Sequence, residues 1–538
     1  MKPVKTFLFS ACALLFLLLM HFMAPMVGYE PLFRCQAPEI NFDLSPIWSR
    51  PQHREWQAKR IWNDIKPENK ELEEKEEAET QLLQKQWQHD SLMLFYKRVY
   101  RLEADIFDKP ALQNIPITPF EYDSAQIGKE LLHDFFARLL ALRNPAQRER
   151  LDAMYEKTDF WDDPLARNRR SFIRILHYGD AQIENDHITG TLRRLMQADF
   201  GGSGPGLLPI LRSSWGNFQF KKSGKWNVVK AEPDALRGNY GLYTAYLAPP
   251  ALNAILQKSN DQGILRFNLP AEYRTEGLCA EAVVHADISE YNLQLSADNR
   301  KIPPAAVLEA FGLQRITYPL HQEKEISLQL KLLKNHNLYA LALNDTLGVS
   351  VDNISMTGYA GDMFSANNSL FLNTQLYLLN TGLIIYQFGN PCLVAANSKT
   401  EDYGYYRFLL LKELNFIRIQ MPKIPVIVVG MSGNSSLEPR PDMKRLKAIQ
   451  RECAFQTGCV FWDLEEAMGG DDAMRHWAES QPALAARDGV HFTAKGADLA
   501  GKLLYKALLD AYRRFLLQQR KSLMMQRAKQ LLSDVQTQ

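Results

Sequence analysis

Apolar positions along the chain change their spacing several times, and each spacing predicts a different kind of element. Between residues 123 and 142 they recur at helical intervals, which predicts a helix. Short, continuous apolar runs separated by helical stretches are typical of parallel strands that helices cover on both faces. Such runs occur at residues 172–178, 349–354, 383–388, 426–429 and 460–462.

The pattern alternates instead between residues 215 and 348. Ile326, Leu328 and Leu330 are separated by single polar residues, and other short runs nearby repeat this spacing. Alternation with period two predicts strands with one buried face, and several of them in succession predict a β-sandwich-like domain. The sequence therefore predicts an α/β domain in two parts, residues 125–214 and 349–517, with a β-sandwich inserted between them.

The run from Phe7 to Val27 is almost wholly apolar and follows Lys2 and Lys5. Its length suits a bilayer crossing, and the preceding positive charges favour a cytoplasmic N-terminus. We expect residues 1–29 to be a cytoplasmic tip and transmembrane signal-anchor in the inner membrane, with the body in the periplasm. A cleaved signal peptide stays open as the alternative.

Two further segments are rich in charged and amide side chains. Residues 30–124 contain a run of Glu and Lys around residue 74, which is typical of a solvated helical stalk or linker. Residues 518–538 continue an amphipathic pattern and predict a C-terminal helical tail.

Charge and composition exclude several functions. The chain has 538 residues, 46% of them hydrophobic, and its 63 Lys and Arg nearly balance its 61 Asp and Glu. It is therefore large enough for more than one core, and it lacks the positive field of a nucleic-acid-binding protein. The cysteines show no metal-ligand spacing. Cys453 and Cys459 are either a disulfide or two isolated thiols, while His177 and His187 lack a third ligand and predict no metal site.

Candidate chemistry lies at the ends of predicted strands. Gly179, Asp180, Ala181 and Gln182 follow the first buried strand, and the stretch Asp488-Gly489-Val490-His491 precedes the last helix. The first block resembles the Gly-Asp-Ser block of the SGNH (GDSL-type) hydrolases, and the second resembles their Asp-x-x-His block. In that family the serine is the nucleophile, whereas an alanine methyl group cannot attack an acyl carbon.

The resemblance implies an SGNH-like three-layer α/β/α fold without a cofactor, and it also implies roles for several residues. His491 would be the base and Asp488 its orienting partner. Asp180 belongs to the opening block, and the amides of Ala181 and of Gly358 or Gly361 would stabilise an oxyanion. Asn390 would add a side-chain donor, although it directly follows Gly389, whereas the family separates its Gly and Asn.

The chain is most similar to the cell-envelope branch of the family, which acts on O-acetylated glycans. This resemblance implies an acylated carbohydrate polymer as ligand and a membrane-bound O-acyltransferase as a candidate partner. Because Ala181 replaces the nucleophile, we expect a catalytically impaired protein that binds acylated glycan or assists an acyltransferase. Two alternatives stay open. One is an active esterase or acetyltransferase that uses His491 and Asp488, or another nucleophile such as Cys392, and the other is a non-catalytic envelope scaffold.

Overall fold

The computed structural model describes residues 106–107, 109–143, 172–224, 226–231, 237–243, 245–248, 262–289, 291–331, 336–361, 364–389, 403–433 and 442–536. The chain divides into two compact units, residues 1–97 with 529–538 and residues 98–528, and the description below concerns the second. The predicted anchor at 7–27 and most of the predicted stalk lie outside the described residues. Within the described part, no helix combines the length and apolar character that a bilayer crossing needs.

Strands are numbered in chain order. They are β1 (Phe172–Gly179), β2 (Gly206–Leu207), β3 (Ser214–Trp215), β4 (Phe218–Ser223), β5 (Asn227–Lys230), β6 (Ala245–Ala248), β7 (Gln262–Asn268), β8 (Glu276–His285), β9 (Leu293–Ala297), β10 (Arg300–Ile302), β11 (Ala306–Ala310), β12 (Leu313–His321), β13 (Glu325–Lys331), β14 (Leu338–Asp345), β15 (Gly348–Ser355), β16 (Thr381–Gln387), β17 (Val426–Val429) and β18 (Val460–Trp462).

The α-helices follow the same numbering. They are α1 (Pro110–Gln113), α2 (Ile127–Arg143), α3 (Thr189–Phe200), α4 (Ser369–Leu378), α5 (Gly404–Gln420), α6 (Met443–Gln456), α7 (Leu464–Ala467), α8 (Ala473–Glu479) and α9 (Ala494–Gln536). Short 3₁₀ helices occur at Ala181–Asp186, Ala271–Tyr273 and Phe364–Ala366.

A five-stranded parallel sheet forms the centre of the α/β part, in the order β15-β1-β16-β17-β18. Every residue of β1 is buried, because successive side chains point to opposite faces and helices cover both. Ile175 packs with α2, α3 and α9 on one face, and Leu176 packs with α4, α5 and α6 on the other. The predicted mixed α/β architecture with a parallel sheet is confirmed.

Two antiparallel sheets lie between β1 and β15 in the chain. One has six strands in the order β10-β9-β13-β7-β4-β3, and the other has seven, with β2 pairing β14 outside the path β11-β12-β8-β14-β6-β5. The alternating residues Ile326, Leu328 and Leu330 are each 1% exposed or less and share one apolar core with residues of both sheets. Antiparallel pairing begins at Gly206, earlier than the alternating pattern at residue 215.

A buried ion cluster joins the parallel sheet to the seven-stranded sheet. Arg174 of β1 is fully buried and donates to Asp352 of β15 at 2.5 Å, to Glu281 of β8 at 3.0 Å and to Asn344 of β14 at 2.7 Å. A buried guanidinium is tolerated only when its charge and its N–H groups are matched. The cluster therefore fixes how the two sheets meet.

Residues that commonly cap helices lie at the end of α3 and at the start of α9. Gly201 has a φ of 78° and ends α3, a backbone conformation that favours glycine. The hydroxyl of Thr493 accepts a hydrogen bond from the Gly496 amide at 3.2 Å and so caps the start of α9. Cys453 and Cys459 are buried free thiols, so they form two isolated cysteines instead of a disulfide.

Candidate active site

The first predicted block lies at the carboxyl end of β1. Gly179 is packed so closely that a Cβ there would meet the Gln387 carbonyl oxygen at 2.9 Å. Asp180 is 2% exposed, and its Oδ1 accepts a hydrogen bond from the Gln182 amide at 3.0 Å. Asp180 therefore caps the 3₁₀ helix that begins at Ala181.

Ala181 occupies the position where the resemblance expects the nucleophile, and it is partly exposed. It is the first residue of the 3₁₀ helix. Amides in the first turn of a helix have no partner inside the helix, so the Ala181 N–H is suited to bind an external acceptor. The position thus offers a donor and a methyl group, but no nucleophile.

The second predicted block forms a hydrogen-bonded pair. His491 Nδ1 and Asp488 Oδ2 are 2.7 Å apart, and the two side chains are 48% and 50% exposed. Asp488 Oδ1 also accepts from the amides of Val490 at 2.9 Å and His491 at 3.0 Å. Partial burial alone would raise the pKa of Asp488, but these bonds hold it below its ordinary value. No described residue bonds to Nε2 of His491, which leaves that nitrogen available.

Gln182 connects the two blocks. Its Nε2 donates to the carbonyl oxygen of Val490 at 3.2 Å and to Ser432 Oγ at 2.6 Å, and its Oε1 accepts from Gln387 Nε2 at 3.2 Å. The residue after Ala181 therefore binds the residue before His491. Gln182 is only 4% exposed, so this bridge lies beneath the site. Sequence reasoning missed its role, because its partners lie far apart in the chain, at the end of β16, after β17 and before α9.

His177 supports the same bridge from inside the sheet. Its Nε2 lies 3.0 Å from Gln387 Oε1, and its Nδ1 lies 2.9 Å from the Thr189 hydroxyl. Complete burial lowers the pKa of His177 to about 4, so the ring is neutral near pH 7. His177 is therefore a packed, hydrogen-bonded histidine. No three His, Cys, Asp or Glu side chains of the described part converge closely enough to hold a metal ion.

His187 lies at the other end of the 3₁₀ helix and is partly exposed. Partial burial is the largest cause that lowers its pKa. Asp186 opposes this effect, and the nearby His491 lowers the pKa further. The pKa of His187 is therefore sensitive to the charge on His491.

The two candidate oxyanion glycines differ in position. Gly358 is exposed in a turn closed by the Tyr359 amide and the Met356 carbonyl at 3.0 Å, and no atom would obstruct a Cβ there. The Met356 amide bonds Gly179 O at 2.8 Å, which places this turn beside the end of β1. Gly361 is buried, and a Cβ there would meet the Tyr386 hydroxyl at 2.1 Å. The geometry favours Gly358 as the accessible donor.

The third predicted block is only partly described. Gly389 is buried, and a Cβ there would meet Met431 Cγ at 2.5 Å. Asn390 and Cys392 lie outside the described residues. The structure therefore brings together the opening block, the Gly358 turn and the Asp488–His491 pair.

No protein-family model matches the chain, and no curated protein matches it. Solved structures similar to it include a peptidoglycan O-acetylesterase (19% identity, TM-score 0.48, 68% of this chain and 96% of that chain). They also include a GDSL-like lipase from Bacteroides thetaiotaomicron (17% identity, TM-score 0.22, 30% of this chain and 76% of that chain). A salicylyl-acyltransferase from a tetracycline biosynthetic pathway is also similar (13% identity, TM-score 0.23, 55% of this chain and 94% of that chain). The chain's structural neighbours thus include GDSL-type esterases.

Proposed function

We propose that this protein is a membrane-anchored, periplasmic SGNH-hydrolase-like protein that binds acylated glycan during O-acylation of a cell-envelope polysaccharide. One observation supports it most directly. A hydrogen-bonded Asp488–His491 pair lies in a loop whose Val490 carbonyl accepts from Gln182, the residue directly after Ala181. The anchor at residues 7–27 and the periplasmic location are part of the same proposal and rest on the sequence.

Loss of the nucleophile removes most of the catalysis that such a site can supply. In a Ser-His-Asp set the base takes the proton of the serine hydroxyl, and the oxygen then attacks the acyl carbon. Without that oxygen, the remaining oxyanion donors and binding contacts give only about 10³- to 10⁴-fold acceleration over water. Rapid turnover of a polymer is therefore not expected.

Binding does not need the missing hydroxyl. The Ala181 amide is in the first turn of its helix, and Gly358 lies in an exposed turn beside it. Two amides of this kind can donate to an acyl carbonyl oxygen whether or not a nucleophile is present. We therefore assign recognition of the acyl ester to these amides. The proposed partner is a membrane-bound O-acyltransferase that adds or receives the acyl group.

A catalytic alternative is favoured by the retained base. His491 Nε2 has no partner among the described residues, and the ring is half exposed while Asp488 orients it. Such an imidazole can remove a proton from water, so direct hydrolysis of a bound ester is the second candidate function.

Calorimetry with an O-acetylated oligosaccharide and its chemically deacetylated form tests the proposal. We expect the full-length protein to bind the acetylated form at least about tenfold more tightly, since each lost hydrogen bond to an amide costs on the order of 1 kcal/mol. Equal binding of both forms would contradict recognition of the acyl group, and binding of neither would favour the scaffold alternative.

Release of acetate from the same oligosaccharide separates the second candidate. Turnover that His491→Ala abolishes would establish the enzyme. His476→Ala is the matched control, because His476 is an exposed histidine on α8, outside the residues that form the candidate site.

A further inference from the structure

We propose that Arg212 is a positioning residue that fixes the spacing between the two loops presenting the Ala181 and Gly358 amides. The inference rests on the proposed function, because it concerns the same pair of donors. Arg212 lies between β2 and β3, so the region that contains the antiparallel sheets contributes directly to the candidate site.

The guanidinium of Arg212 bonds to both loops at once. Its Nη1 donates to Glu184 Oε1 at 2.6 Å, and Glu184 lies at the non-helical kink of the segment Ala181–Asp186. Its Nη2 donates to Ser355 Oγ at 3.1 Å and to Thr357 Oγ1 at 3.4 Å, and Thr357 directly precedes Gly358. A planar fork with fixed donor directions holds its partners at set distances, which a flexible ammonium cannot do.

The ion pair is sheltered enough to be effective. The Arg212 and Glu184 side chains are 28% and 32% exposed, whereas pairs fully in water are screened and contribute little. The hydroxyls of Ser355 and Thr357 supply further acceptors, so three partners hold one rigid group.

The loop that contains Arg212 is itself held by Lys222 of β4. Lys222 Nζ donates to the carbonyl oxygens of Ile210, Leu211 and Arg212, each at 3.0 Å. Three carbonyl oxygens satisfy all the donors of the ammonium group. The Phe220 amide also bonds the Ser213 carbonyl at 2.8 Å, which fixes the end of the same loop. Arg212 is therefore presented from a fixed backbone.

Fixed spacing matters because oxyanion donors act only within hydrogen-bond distance of the developing charge. A shift of about 1 Å in such a group can lower a rate by about 100-fold. We therefore expect loss of Arg212 to misalign the two amides while the fold stays intact.

Hydrogen exchange on the full chain tests this directly, with Arg212→Met, Arg212→Lys and the control Arg194→Met. Arg194 lies on α3, belongs to neither loop, forms an ion pair with Asp498 at 3.0 Å and is 61% exposed. In Arg212→Met we expect roughly tenfold faster exchange at residues 181–187 and at 355–361 together. Arg212→Lys should be intermediate, and Arg194→Met should leave both segments unchanged. Unchanged exchange, or a change in one segment only, would overturn the proposal.

A kinetic measurement in the Ala181→Ser background excludes a merely structural role. With 4-nitrophenyl acetate as the probe, Arg212→Met should lower kcat by about 100-fold and change KM less than about threefold, because the donors act on the transition state. Faster exchange with unchanged kcat would also overturn the positioning role. If Ala181→Ser is inactive, the proposed function fails, while the exchange measurement still decides whether Arg212 links the loops.

Discussion

The two sides of the candidate site are built differently. One side, the Ala181 side, includes Gln182 and His177. They are 4% and 0% exposed and belong to one buried hydrogen-bond network. The other side, the His491 side, consists of His491 and Asp488. They are 48% and 50% exposed and are held mainly by each other and by local amides. Only the Ala181 side is part of the protein core.

Because of this difference, we expect the Ala181 side to matter for stability and the His491 side to matter for binding or catalysis. The network around Gln182 uses no hydroxyl at position 181, so an alanine there leaves every bond of the network in place. The His491 side is half exposed, so we expect it to contribute little to folding, yet it has a carboxylate and an imidazole in bonding contact. If folding does not require this pair, its role lies in ligand binding or in proton transfer, as proposed above.

The buried side should make stability depend strongly on pH. The pKa of His177 is about 4 in the folded protein and 6.5 when unperturbed, so between these values the unfolded chain binds a proton that the native protein does not. The free energy of unfolding should therefore fall as the pH decreases from 6.5 to 4, by about 3 kcal/mol in total. Urea titrations at several pH values measure this dependence.

His177→Gln is the comparison for that measurement, because glutamine does not titrate. The variant should lose the His177 contribution to the pH dependence, whatever its stability at pH 7. Titration of the His177 ring by NMR in the unmodified protein provides a check that needs no variant. A ring that takes up its proton near pH 6.5 would show that burial does not control it.

Gln182→Ala should remove the bridge between the blocks. It leaves the buried groups of Ser432 and Gln387 without their partner, so we expect a loss of roughly 2 kcal/mol in the free energy of unfolding. Chemical denaturation measures the loss. Gln329→Ala is the matched control, since the Gln329 amide bonds Gln262 at the surface of β13 and its loss should cost less than about 0.5 kcal/mol. Equal losses for the two variants would contradict a structural bridge at 182.

His491→Ala should have the smallest effect on folding. An exposed ion pair contributes little, so the free energy of unfolding should change by less than about 0.5 kcal/mol in the same denaturation experiment. A loss of unfolding free energy as large as that of Gln182→Ala would mean that the His491 side stabilises the fold. The presence of the Asp488–His491 pair would then indicate nothing about function.

The sequence predicts the parallel sheet well because buried strands require continuous apolar runs, as residues 172–178 show. It also places Ala181 and His491 at strand and helix ends. It does not predict Gln182 as the bridge, because its partners Ser432 and Val490 are 250 and 308 residues away. The sequence does not predict the role of Arg212 for the same reason, because only the folded chain brings its loop to Glu184 and Thr357.

The central proposal is that catalysis at this site needs one further oxygen atom at position 181, and Ala181→Ser tests it most directly. We expect the variant to hydrolyse 4-nitrophenyl acetate about 10³-fold faster than the unmodified protein, and the added activity to vanish when His491→Ala is introduced as well. Restored turnover that needs His491 would support the account. A correctly folded Ala181→Ser protein without added activity would contradict it.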